Sequence, residues 1–143
     1  MGTFNRVDAL VTPIAQIGPV AAISSNGATN GATIDKQALS EVFEEALFVS
    51  HVGATSGSPT SFSVVTKIQD SADGSDWRDI TDTQIVEAAT KTISAINTVS
   101  TLAVRLIALR RYVRMVQTVT LNAGTTPTVF IYGMALLGHP RRS

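Results

Sequence analysis

Apolar and polar residues alternate along much of this chain, and the alternating segments are separated by clusters of Gly, Asn, Asp and Pro. That period of two is the signature of strands rather than helices. Phe62, Val64, Thr66, Ile68 and Asp70 fall on one face of a strand, with Ser63, Val65, Lys67 and Gln69 on the other. Val104, Leu106 and Ala108 alternate with Arg105, Ile107 and Leu109. After a bend, Arg110, Tyr112, Arg114 and Val116 alternate with Arg111, Val113, Met115 and Gln117. The stretch from Thr128 to Leu137 is apolar at nearly every position, which predicts a last, largely buried strand. Between Asp35 and Val52 two patterns compete. Leu39, Val42, Phe43, Ala46 and Leu47 have helical spacing behind an Asp35 cap, whereas Ala46, Phe48, Ser50 and Val52 alternate. The reading that reconciles them is a turn, or one helical turn, followed by a strand from about Val42.

Turn chemistry punctuates these runs. Asn26-Gly27 and Asn30-Gly31 are each followed by Ala-Thr, and both residue types tolerate positive φ. Asp73-Gly74 sits at the tip of a hairpin that runs from Asp70 to Ile80 and carries the single Trp, Trp77, into its return strand. Trp77 reads as a core anchor. Thr83 to Thr101 is rich in Thr, Ala, Ile and Val without Gly or Pro, and its strand or helix character stays open. Residues 1–23 contain two prolines and no sustained alternation, so they read as an extended arm. The remainder, 24–143, is expected to form one domain: an all-β antiparallel sandwich or barrel of roughly seven to eight strands.

Composition narrows the function. A chain of 143 residues without Cys has no disulfides, thiolate metal sites or Cys nucleophiles. Charged residues make up 15% against about 25% in an average domain, which suggests that neighbours cover part of the surface. The apolar stretch from Ala9 to Ile23 is broken by Pro13, Gln16, Gly18 and Pro19, so neither a membrane helix nor a signal peptide is expected. Net charge is zero, but residues 1–87 hold all eleven acids with four bases, a net of −7, and residues 88–143 hold seven bases and no acid. These charges either pair within one molecule or serve contacts between subunits or with an acidic partner surface.

No chemistry-bearing motif stands out. There is no Gly-Lys-Ser/Thr, GxGxxG, HExxH or Gly-x-Ser-x-Gly, and His51 and His139, read as a strand-end residue and part of a tail, have no metal-ligand spacing. The four aspartates around Gly74 do not match a calcium loop. Glu44 and Glu45 fall on opposite faces of a strand and do not cooperate as an acid/base pair. No enzyme activity, cofactor or metal is therefore expected. Arg110-Arg111-Tyr112-Val113-Arg114 is the most distinctive cluster, with Arg105 before it and Arg141-Arg142 at the end. It could grip phosphates around a stacked base, but an overall neutral chain disfavours nucleic acid and points to carboxylates on protein.

Four blocks in order resemble small structural proteins of tailed bacteriophages: Ser25 to Asp35, Lys67 to Trp77, Arg110 to Arg114, and Leu137 to Arg142. The resemblance implies a β-rich virion component, a capsid cement or decoration protein on the outer surface of the head, made in the bacterial cytoplasm. Its implied partner is the major capsid protein, with a homo-oligomer as an open option and no membrane. On that reading the contact residues are Asn5, Arg6, Val7, Leu10, Val11 and Ile14 in the arm, with Arg105, Arg110, Arg111, Tyr112, Arg114, Arg141 and Arg142. A head–tail completion or tail-associated protein is the alternative, and a carbohydrate-binding adhesion module using Trp77, Tyr112 and Tyr132 is a third.

Overall fold

A computed structural model describes residues 11–18 and 22–141, with the side chains of 139–141 excepted. The chain is an all-β sandwich of two antiparallel sheets. Ten strands occur among the described residues: β1 (Val11–Ile17), β2 (Gly27–Asn30), β3 (Ile34–Asp35), β4 (Val42–Ser56), β5 (Ser61–Ser71), β6 (Arg78–Asp79), β7 (Lys91–Ile93), β8 (Thr98–Val104), β9 (Tyr112–Asn122) and β10 (Thr128–Arg141). The expected seven or eight rises to ten because β3, β6 and β7 are two- and three-residue pairings, too short to leave an alternation in sequence.

One sheet has the order β1-β10-β4-β8, and the other β2-β9-β5-β6 with β3 on β9 and β7 on β5. β10 and β4 form the long central ladder of the first sheet, in register from Thr128↔Ser56 to Arg141↔Val42 with a bulge between Val129 and Ile131. β5 and β9 pair over their whole length, Ser61↔Asn122 to Ser71↔Tyr112. The core lies between the sheets. Phe48, Val52, Leu102, Ala135 and Leu137 from the first meet Val64, Ile68, Val113, Met115 and Val119 from the second, all at most 1% exposed.

Several local expectations hold. Asp35 caps a short 3₁₀ turn, Lys36–Ala38, by accepting from the Gln37 N–H at 3.0 Å, and β4 begins at Val42. Along β5 the two faces separate as the alternation grouped them: Val64, Thr66, Ile68 and Asp70 are buried and Phe62 partly so, while Ser63, Val65, Lys67 and Gln69 are less covered. Other expectations need correction. The alternation from Val104 to Leu109 ends as a 3₁₀ turn, Leu106–Ala108, because Leu106 and Leu109 both turn into the core there. His51 lies within β4, stacked on Tyr132 with ring centroids 5.3 Å apart, and is not a strand-end residue. Trp77 is half-buried at the surface rather than a core anchor, because the return strand β6 lies at a sheet edge. Of the segment read as an arm, Val11–Ile17 pairs with β10 as the edge strand β1, and residues 1–10 and 19–21 lie outside the described residues.

Two buried polar groups tie the layers together. Gln16 of β1 accepts from the Met115 N–H at 2.9 Å and donates to the Ala32 carbonyl at 2.8 Å, linking the first sheet to the second. Gln117 of β9 donates to the Ser50 hydroxyl and to the Tyr132 carbonyl, and Thr66 donates to the same hydroxyl at 3.1 Å. Such pairs disfavour any slip of one sheet over the other, since a slip strands them without partners.

Candidate functional site: an arginine cluster and an apolar sheet face

The arginine cluster is positioned by β9 and by the turn before it, and its guanidiniums have partners within the chain. Asp70, wholly buried at the end of β5, is the anchor. Arg78 donates to it through two bonds, Nε to Oδ1 at 3.0 Å and Nη2 to Oδ2 at 2.9 Å. The Arg110 backbone N–H donates to Oδ2 at 2.8 Å, and Arg110 Nε lies 4.0 Å from Oδ1. The Asp70 carboxylate in turn raises the pKa of Arg78. Arg111 makes a two-bond pair with Asp35 at 2.8 Å each and lies over the Tyr112 ring. Its hydrogen bonds hold the Asp35 carboxyl below the usual carboxylate value. Arg114 covers Trp77, its guanidinium carbon 4.0 Å from the ring centroid, and donates to Gln69.

The opposite charges of the two chain segments therefore meet inside one molecule for Arg110–Asp70, Arg111–Asp35 and Lys91–Glu87. Arg110 and Arg111 precede β9 rather than lying on it, so Arg110 and Arg114 do not flank Tyr112 along one strand face. The three aromatic platforms are each stacked: Trp77 by Arg114, Tyr112 by Arg111 and Tyr132 by His51.

The remaining contact candidates divide by position. β1 starts at Val11 opposite Gly138, β8 ends at Val104 opposite Ala46, and β10 reaches Arg141 opposite Val42. Val11, Arg105 and Arg141 thus converge on one end of the four-stranded sheet. Ile14 instead turns inward and packs on the core. Asn5, Arg6, Val7, Leu10 and Arg142 lie outside the described residues.

Sequence reasoning missed a larger feature. The outward face of the four-stranded sheet is almost wholly apolar. Register places Pro13 beside Leu136, Ala15 beside Met134, Leu136 beside Leu47, Met134 beside Val49 and Tyr132 beside His51, with Ala103, Thr101 and Val99 completing the rows on β8. Val99 is 59% exposed, Met134 42% and Phe130 39%. A hollow of about 260 Å³ opens on this face between Ala15, Val49, His51, Tyr132 and Met134. Glu45 is the one acid among these outward positions, at one end. The other sheet behaves differently, presenting polar side chains outward: Lys67, Gln69, Arg114 and Thr118, half-buried, and Thr120, exposed. The signal was present: β10 is apolar on both alternations, and a sandwich covers only one of them.

Among the described residues no cluster of three or more His, Asp or Glu could hold a metal ion, and no helix is long and apolar enough to cross a membrane. No family model matches the chain, and no curated protein matches it. Among solved structures it is similar to a chain from turnip yellow mosaic virus, at 11% identity and a TM-score of 0.38, over 94% of this chain and 83% of that one. It is also similar to a chain from desmodium yellow mottle tymovirus, at 11% identity and a TM-score of 0.37, over 94% of this chain and 89% of that one.

Proposed function

We propose that this chain is a virion structural protein of the capsid cement or decoration kind, acting by contact with other protein subunits and catalysing no reaction. The observation that carries the reading is the apolar outward face of the four-stranded sheet. From Val129 to Leu137, β10 has the two-sided apolar composition of a strand covered on both faces, yet the fold covers one. A contiguous exposed apolar surface marks a place where protein binds protein. The sequence blocks that resemble phage structural proteins supply the setting: the lattice of a tailed-phage head. Residues 1–23 and Arg141-Arg142 are the segments we assign to the major capsid protein. Of residues 1–23 the described part includes the edge strand β1, whose first residue Val11 lies with Arg105 and Arg141 at one end of the sheet.

The test is to mix the full chain with expanded capsid shells that lack it, and to measure stoichiometry and heat resistance of the shells. Saturable binding at a fixed ratio to the capsid protein, with raised heat resistance, is the expected result. Purified mature particles without this chain, together with shells that do not bind it, would overturn the reading. A form that lacks residues 2–10, leaving β1 in place, and binds with full affinity would remove that part of the arm from it.

A further inference from the structure

We propose that the apolar face of the four-stranded sheet is covered by the same face of a second copy of this chain, in a two-fold, face-to-face dimer. This rests on the reading of that face as an assembly contact and names its partner.

Three observations select a second copy. The first is charge. Apposing two identical surfaces is costly when each carries a row of like charges, and the outward rows named above carry only Glu45, at one end. The second is relief. An isologous interface must contain both the projection and the recess that receives it. Here Phe130 and Met134 project, while the hollow beside Tyr132 and His51 lies on the same face. Beside Phe130 on this face Gly53 contributes no side chain, and a Cβ there would lie 3.3 Å from that of Phe130. The third is size. Four strands about 4.8 Å apart and nine outward-to-inward positions along β10 at about 3.3 Å each give a face of roughly 18 by 27 Å in projection. Side-chain relief enlarges this, so two copies bury on the order of 1,000 Å² in total, the threshold of a specific interface.

Edge-to-edge pairing is the competing route, and both edges of this sheet are blunted. β1 carries Pro13, which has no N–H to offer, and a bulge between Ala15 and Ile17. The outer edge of β8 is occupied at its end, where Val86 bridges Val104 and Glu87 bonds both the N–H and the carbonyl of Ala103. The face is left as the surface through which two copies can meet.

Sedimentation of the full chain across roughly 1–100 µM tests this, alongside Met134→Asp and Val99→Asp. Both side chains are well exposed, so the variants should melt close to the parent. Within this range the parent should shift from the monomer mass toward twice that mass as concentration rises. Each variant should weaken association at least about 100-fold, because it places a charge against apolar surface and against its own copy. A parent that stays monomeric to 100 µM, or an oligomer indifferent to both variants, overturns the dimer. The shell-binding assay separates the two claims. A monomeric parent that still saturates shells removes the dimer alone, and a face-dependent dimer that binds no shell removes the virion role alone.

Discussion

Replacing Asp70 by Asn keeps the shape of a wholly buried side chain and deletes its charge. In the parent the carboxylate receives two guanidinium bonds from Arg78 and a backbone bond from Arg110. The amide of Asn can accept through one oxygen only, and its NH2 then points at a donor. Hydrogen bonds to charged groups contribute about 1.5–3 kcal/mol each, and breaking a buried pair costs about 3–5 kcal/mol. Arg78 is 48% exposed and regains water, which moves the expected loss to the low end, about 2–3 kcal/mol. An unfolding entropy of about 2.1 cal/mol/K per residue gives ~0.3 kcal/mol/K for this chain, so Tm should fall by about 7–10 °C. Arg78→Met tests the logic from the other side. It removes the half-exposed partner and leaves the buried carboxylate with the Arg110 N–H and the more distant charges of Arg110 and Lys36, so it should cost at least as much as Asp70→Asn. Urea and thermal unfolding followed by circular dichroism measure both. A loss under about 1 kcal/mol for Asp70→Asn, or a neutral Arg78→Met, would refute the assignment of Asp70 as the anchor of this cluster.

Gly124→Ala should destabilise by more than about 2 kcal/mol, since Gly124 has φ +86 and an added Cβ would run into the Gly57 carbonyl oxygen and lie 3.0 Å from Pro59 N; denaturant midpoints report it, and a change under about 0.5 kcal/mol contradicts the docked loops. Arg114→Ala should shift Trp77 emission to the red and raise acrylamide quenching about two-fold, because the guanidinium now shields the ring; unchanged quenching rules the stack out. Stability should hold from neutral pH down to about 5 and fall below about 4. Hydrogen bonds lower the folded-state pKa of Asp35, Asp73, Asp79 and Glu87, chiefly from Arg111, the Asp76 N–H, Gln69 and the Ala103 N–H respectively. Stability from such groups is present above the unfolded pKa and is lost as pH falls through the folded one. A Tm that declines already between pH 7 and 5 would point to other groups.

What the chain encodes locally is the set of strands and their inner faces. Period-two alternation from Phe62 to Asp70 sorted the residues of β5 onto its two faces, and Asp35 announced the turn before β4, because both signals act over neighbouring residues. The all-β class followed from turn chemistry and the lack of helical periodicity. Tertiary structure decided the rest. Asp35, Asp70 and Gln69 reach Arg111, Arg110 and Arg114 only through pairings 40 or more residues apart, so sequence left the arginines open to outside partners. Trp77 became a surface ring because β6 is an edge, a property of strand order. Thr128 to Leu137 reads as buried on both sides, and the sandwich supplies one cover. Which side stays open depends on where the second sheet stacks, and no local pattern carries that information.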